Sequence, residues 1–325
     1  MARELERPLD TATAGGREVE RDEQHLHRLD GTRAFLVAGL LLLALALPGV
    51  AGAYGWPVRP FDAPHPLRGY FDDPREETAA RVSFHFGVDI SVPDGTPVYS
   101  VSRGTVNARG HSLSVSAPDG TEFGYWHVAP SVRDGEHVAL HQLLGRVEPG
   151  WGHVHFAENR GGVYLNPLRR GGIEPYTDDT APTIASILIL SGRHFASIEG
   201  VHGSVDLVAD AYDTPPLTPP GSWAQTRVTP ALVRWRLLGA TGELGAWHTA
   251  ADFRSILLPD ELFPLVWAPG TRQNRADKPG RYRFYLRQAL DTTTLADGVY
   301  ALEVAVSDTA GNRTASALPF RVANA

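Results

Sequence analysis

Gly152-His153-Val154-His155-Phe156 is the stretch that decides how this chain folds. In an extended strand successive side chains point to opposite faces, so His153 and His155 share one face. Val154 and Phe156 then turn to the other face, into a core. The pattern predicts a half-buried strand that presents two imidazoles side by side at one surface point. Such a pair can ligate a metal or accept protons, and the spacing alone leaves open which histidine does which.

Outward from this strand, Gly55 to about Tyr176 reads as short strands separated by turns. Pro93-Asp94-Gly95, Pro118-Asp119-Gly120, Arg133-Asp134-Gly135 and Gly161-Gly162 are turn signals. Between them, Val98–Ser102, Leu113–Ala117 and Phe123–His127 are rich in β-branched and aromatic residues, and no long helical period appears. The prediction is an antiparallel β domain. Thr177-Asp178-Asp179-Thr180-Ala181-Pro182 reads as a linker. Beyond it, Ile184–Leu190, Val205–Asp210 and the alternation of Tyr300, Leu302, Val304 and Val306 predict a β-sandwich. The ending, Asp297-Gly298-Val299-Tyr300 through Asp308-Thr309-Ala310-Gly311-Asn312, resembles the last hairpin of bacterial immunoglobulin-like and fibronectin-type modules. The irregular stretch between Trp247 and Tyr282 reads as an excursion from the sandwich, with Trp267 to Tyr285 as a candidate lid. The expected fold class is all-β, two antiparallel domains in series, over residues 54–178 and 183–325.

Residues 1–33 carry charges of both signs without an apolar period and read as a disordered tail. Residues 34–47 are an apolar run, short against the about 20 residues of a membrane span. Pro48-Gly49 breaks the run, and Ala51 and Ala53 supply the small residues of a cleavage site. Residues 34–53 therefore read as a secretory signal cut after Ala53, with an uncleaved signal-anchor as the alternative. Either form exports the remainder to a periplasm, cell envelope or extracellular space. The net charge of −7 over 325 residues excludes the basic stripe of a nucleic-acid binder. With no cysteine in the chain, thiolate nucleophiles, thiolate metal sites and disulfides are excluded, so any metal must be held by histidine and carboxylate.

Four histidines among 13 stand out by context. His85 and Asp89 lie in Phe84-His85-Phe86-Gly87-Val88-Asp89-Ile90, His127 closes Gly124-Tyr125-Trp126-His127, and His153 and His155 form the pair. A catalytic zinc takes three protein ligands and keeps one open position. His85, Asp89 and one histidine of the pair supply two nitrogens and a carboxylate oxygen. His127 and the other histidine are then free to move the water proton and to stabilise an oxyanion. Taken singly, each of these residues also suits a packing or turn-capping role. There is no His-Glu-X-X-His helix and no Gly-X-Ser-X-Gly elbow. Asp206, Asp210 and Asp213 lack a recognised calcium-loop spacing and read as solvated strand edges.

From about Arg75 to Leu168 the chain resembles the lysostaphin/LytM-type zinc endopeptidases that cleave peptidoglycan peptides. His85-Phe-Gly-Val-Asp89 is similar to their His-X-X-X-Asp ligand motif. Pro93–Val98 with Arg103–Val106 resembles the following hairpin, Tyr125-Trp-His127-Val the Tyr-X-His-Leu element, and Gly152–Phe156 with Asn166-Pro167-Leu168 the His-X-His strand and its exit. The resemblance implies His85, Asp89 and His155 as zinc ligands, and His127 and His153 as the catalytic pair. Two departures bear on substrate choice. His141 stands where the family commonly has glycine, and Val147-Glu-Pro-Gly-Trp151 replaces a run of small residues.

The expectation is thus an exported Zn2+ endopeptidase of peptidoglycan stem peptides or cross-bridges, with an immunoglobulin-like C-terminal domain. Its alternatives are a non-catalytic wall-binding or amidase-activating module, and a protease of secreted protein.

Overall fold

The structure, a computed structural model, describes residues 52–78, 81–110, 112–239 and 245–324. The calls on residues 1–33 and 34–53 fall outside the described residues, apart from Gly52 and Ala53. Strand follows strand, and the α-helix among the described residues, Phe263–Val266, is a single turn. The first half holds β1 (Leu67–Gly69), β2 (Pro74–Thr78), β3 (Arg81–Phe84), β4 (Val88–Ser91), β5 (Pro97–Tyr99), β6 (Gly104–Arg109) and β7 (Ser112–Ser116). It continues with β8 (Thr121–Trp126), β9 (Val128–Pro130), β10 (His137–Val138), β11 (Leu143–Val147), β12 (His153–Arg160) and β13 (Val163–Leu165). The turn signals did their predicted work: Gly95, Gly120 and Gly135 each take a positive φ, of 76°, 84° and 77°, which a glycine adopts without a Cβ clash.

The main sheet runs β1-β4-β12-β8-β7-β6-β10, with β13 beside the far end of β12, and β5-β11-β9 forms a second, smaller sheet. All these pairings are antiparallel. The strand carrying the His-X-His pair is therefore interior, hydrogen-bonded on both edges. Its apolar phase is as read: Val154 and Phe156 are fully buried in a core with Val88, Ile90, Val115 and Tyr125. The far end of β12 is anchored by buried Glu158. Arg169 grips its carboxylate with two bonds of 2.6 and 2.7 Å, and the Tyr54 hydroxyl donates a third at 2.7 Å.

The second half holds β14 (Thr183–Ser191), β15 (His194–Phe195), β16 (Ser204–Tyr212), β17 (Leu232–Leu238), β18 (His248–Asp252), β19 (Arg283–Asp291), β20 (Gly298–Ser307) and β21 (Arg313–Val322). They form two antiparallel sheets, β15-β14-β16-β19 and β18-β17-β20-β21. One apolar core lies between them, including Leu207, Ala209, Val233, Phe284, Leu302, Val304 and Val306. The stretch expected as a lid is part of this core. Trp267 and Tyr282 are buried, and Trp267 packs on Phe253 and Phe284 at ring separations of 5.8 and 4.7 Å. A large indole and a phenol facing a sheet gain more by burial than by covering a polar groove.

The described residues fall in one compact unit. The hairpin of β2 and β3 is the reason: Val82 and Phe84 leave the first core and pack into the second, while Val228 of the second half packs into the first. Polar contacts follow the same seam. Asp73 accepts from the Thr229 amide and hydroxyl at 3.1 and 2.9 Å, Asp260 accepts from the Phe84 amide at 3.0 Å, and Asn166 donates to the Phe253 carbonyl at 2.8 Å.

Candidate active site

The register of β12 against β4 sets His155 opposite Asp89 and His153 opposite Ser91. Directly paired residues project to the same face, so the imidazole and the carboxylate meet without further folding. His155 Nδ1 lies 3.1 Å from Asp89 Oδ1. His85 arrives from the end of β3, held by Phe84 in the second core. Its Nδ1 is 2.7 Å from the Tyr70 carbonyl, which fixes that nitrogen as the donor and leaves the Nε2 lone pair facing the pair. Nε2 stands 2.8 Å from His155 Nδ1 and 3.2 Å from Asp89 Oδ1.

Three buried donor atoms thus form a triangle with sides of 2.8, 3.1 and 3.2 Å. A tetrahedral ion with bonds of about 2.0–2.1 Å needs ligand atoms roughly 3.3 Å apart, so a small outward relaxation fits this set to zinc. Two imidazole nitrogens and one carboxylate oxygen also match the donor chemistry of catalytic zinc. Glycines let the groups approach. A Cβ on Gly87 would strike the Phe156 carbonyl and come within 2.8 Å of His155 Nε2, and one on Gly69 would strike Asp89 Oδ2. Burial by itself raises the Asp89 pKa, but the neighbouring His85, Arg75 and His153 and a hydrogen bond from His155 hold it well below the usual carboxylate range.

His127 and His153 stand beside this triangle. His127 follows β8 with φ of +64°, a left-handed backbone that costs a non-glycine residue about 1–3 kcal/mol. Its ring stacks on Trp151 at 3.6 Å between centroids and lies 4.6 Å from the ring of His153. His153 Nδ1 is 2.9 Å from the Trp151 carbonyl, and Nε2 points to Asp89 Oδ1 at 3.5 Å. Burial, with Arg68 and His127 nearby, pushes the His153 pKa down to about 3 against the pull of Asp89. The imidazole is neutral at neutral pH.

All five residues lie within positions 83–167, which match the family model described as Peptidase family M23. This segment belongs to that family. Three solved structures similar to the chain align locally. They are a zinc-containing peptidase from Vibrio cholerae (24% identity, 36% of this chain and 39% of that one, TM-score 0.31), the catalytic domain of lysostaphin from Staphylococcus simulans (20%, 32% and 90%, 0.28), and a mutant catalytic domain of the prophage-encoded M23 protein EnpA from Enterococcus faecalis (23%, 38% and 100%, 0.30). No curated protein matches the chain.

Around this triangle stand three residues that the sequence motifs do not include. Arg75 Nη2 holds Asp89 Oδ2 at 2.7 Å. Arg68 donates to the Trp151 carbonyl at 2.7 Å and lies against His153 Nδ1. Trp223 of the second half stacks under the Arg68 guanidinium, 4.2 Å from ring centroid to carbon. Nothing local announces them, because each is distant in sequence from the motif it supports. The aromatic departures also find places. Trp151 is the wall on which His127 stacks, and Phe86, Trp126 and Tyr164 form a continuous aromatic flank, of which Phe86 and Trp126 touch the ring of His155. His141 takes φ of +61°, the conformation that favours glycine there, and rests on Phe61 at 3.9 Å.

Proposed function

We propose that this chain is an exported zinc endopeptidase that hydrolyses peptide bonds in peptidoglycan stem peptides or cross-bridges. Its peptidase domain spans residues 54–178 and an immunoglobulin-like domain spans 183–325. His85, Asp89 and His155 are the metal ligands. The observation that carries this reading is the triangle of three buried donor atoms within the M23 segment. Two neutral imidazoles and one carboxylate leave a divalent zinc one net positive charge and one open position. Zinc bound there supplies Lewis-acid polarisation of the peptide carbonyl and acidification of water.

The chain's own groups supply the rest. The Tyr70 carbonyl fixes the His85 tautomer, and Arg75 occupies Asp89 Oδ2 so that Oδ1 faces the imidazoles. His153, neutral and with Nδ1 engaged by the Trp151 carbonyl, accepts the water proton at Nε2 and passes it to the departing amine. His127, held by Trp151, donates a hydrogen bond to the carbonyl oxygen as negative charge builds there. Export rests on residues 34–53, which anchor the chain in a membrane if they are not cleaved. No helix among the described residues is long and apolar enough to cross a membrane.

The test is zinc content together with turbidity loss of purified peptidoglycan, for wild type, His85→Ala and His153→Ala. The proposal expects about one zinc per chain in wild type, loss of zinc and activity in His85→Ala, and zinc without activity in His153→Ala. A wild-type protein that holds no zinc, or full activity in His153→Ala, rejects it.

A further inference from the structure

Three carboxylates that the proposed reaction does not use converge away from the histidines. Asp178 lies in the segment between the two halves, Asp213 just past β16, and Asp308 at the turn from β20 to β21. Their relative exposures are only 6%, 1% and 5%, and each offers an oxygen within 4.8 Å of the others. The sequence groups Asp213 with Asp206 and Asp210, but the fold separates them. Asp210 pairs with Arg281 at 2.7 Å, and Asp206 accepts from the Ala289 amide at 2.8 Å. Asp213 instead feels the charges of Asp178 and Asp308.

Most of the oxygens are held in place. Asp178 Oδ1 accepts from the Thr180 amide and hydroxyl at 2.9 and 2.7 Å. Asp308 Oδ1 accepts from the Gly311 and Asn312 amides at 2.7 and 2.9 Å, and Oδ2 from the Asn312 side chain at 2.7 Å. That same side-chain nitrogen donates to the Asp178 carbonyl at 2.7 Å, coupling the two segments. Asp213 Oδ1 accepts from the Thr214 amide at 2.8 Å. Its Oδ2 is different: it is sealed from solvent and has no hydrogen-bond partner. A small cavity adjoins it, lined by Asp213, Asp308, Tyr70, Thr229 and Asn166 among others. Burying a carboxylate oxygen with nothing to bind, beside two like charges, is costly unless a cation or a proton compensates.

We infer that Asp178, Asp213 and Asp308 form a calcium site that ties the joining segment to both sheets of the second half. The donors are all oxygen, which selects a hard cation over zinc or copper. Three ligands from three separate segments suit the flexible coordination of calcium better than the strict octahedron of magnesium. Three carboxylates with a divalent ion leave one net negative charge in place of three. Tyr70, whose carbonyl fixes His85, lines the same cavity, so the ion also steadies the strand end beside the histidines.

The experiment uses the full chain stripped by chelator, melted in calcium, magnesium or zinc chloride, with bound calcium counted by equilibrium dialysis. Wild type is expected to hold about one calcium in this set of three carboxylates and to melt about 5 °C higher when calcium saturates it. His85→Ala, which removes a histidine of the other site, should keep this response. Asp213→Asn and Asp308→Asn should bind calcium roughly tenfold or more weakly, and calcium-free Asp213→Asn should melt above calcium-free wild type because the cost of burying an acidic group beside two others is gone. No calcium counted on wild type overturns the assignment, whatever the variants do. Calcium binding that survives both asparagine variants overturns it as well, because the ion then lies elsewhere. A wild type and variants whose melting all ignores calcium would likewise overturn it.

Discussion

Arg75 Nη2 and Asp89 Oδ2 stand 2.7 Å apart, so one oxygen of the carboxylate is clamped while the other faces two imidazoles. A clamped ligand loses less freedom when it takes a metal. Removing the guanidinium should therefore weaken zinc without touching any ligand atom. Arg75→Ala is expected to bind zinc roughly 10–100-fold more weakly, measured by competition with a chromogenic chelator. Unchanged affinity would mean the pair serves only the hairpin.

Gly87→Ala tests the closeness of β4 and β12. The added methyl would meet the Phe156 carbonyl and the His155 ring. It should lower stability by about 1–3 kcal/mol and reduce zinc content, read by thermal melting and metal analysis. A variant with wild-type stability and zinc would show that the strands have room to part.

Trp223 tests whether the second half serves the histidines. Its indole supports Arg68, which holds the Trp151 carbonyl against His153. Trp223→Ala should keep its zinc and lose about tenfold in kcat, since small misplacement of a reacting group is enough for that. Loss of zinc along with activity would point to a general collapse and not to positioning.

Asp213 gives stability a pH dependence in calcium-free buffer. Burial first, and then the charges of Asp178 and Asp308, push its carboxyl up to about 8 despite the Thr214 amide. Between the ordinary aspartate value of 3.8 and about 8 the folded state keeps a proton that the unfolded chain has released. The stability it contributes is therefore full below that window and is lost as pH rises through the folded value. Melting at about pH 5 and about pH 9 should show a larger fall for wild type than for Asp213→Asn. Equal slopes would contradict the shift.

Phe84 reaches from the first half into the second core, where it packs on Phe253 and Phe263 at 6.2 and 5.4 Å. Phe84→Ala should cost about 3–5 kcal/mol in a chemical-denaturant melt. Residues 54–178 produced alone should expose Val82 and Phe84 and should aggregate or fail to hold zinc. A soluble, zinc-loaded fragment would refute the interdependence of the two halves.

Alternation made His153 and His155 legible, with Val154 and Phe156 as their buried counterparts, and the Asp-Gly turns marked where the strands end. The five candidate residues could be singled out because strand periodicity, turns and short motifs are local properties of the chain, while the division of roles among them comes from the resemblance. Arg68, Arg75 and Trp223 could not be singled out, since their roles depend on which distant segments the fold brings together. For the same reason the stretch between Trp247 and Tyr282 reads in the sequence as an excursion, and Trp267 to Tyr285 as a lid. Its aromatics have no regular period, and only the facing sheets show that they fill a core. Asp213 was grouped with its sequence neighbours, although a change of direction after β16 takes it to Asp178 and Asp308.

Phe84 and His85 are adjacent in the chain, yet Phe84 packs into the core of the second half while His85 joins His155 and Asp89 of the first. A gene rearrangement that attached a new C-terminal module after Pro182 would leave Phe84 without its pocket and His85 without its footing. The hairpin from Pro74 to Phe84 would have to travel with its partner or be redesigned to suit the newcomer. For this chain, exchangeable parts are therefore larger than the boundary between the halves would imply.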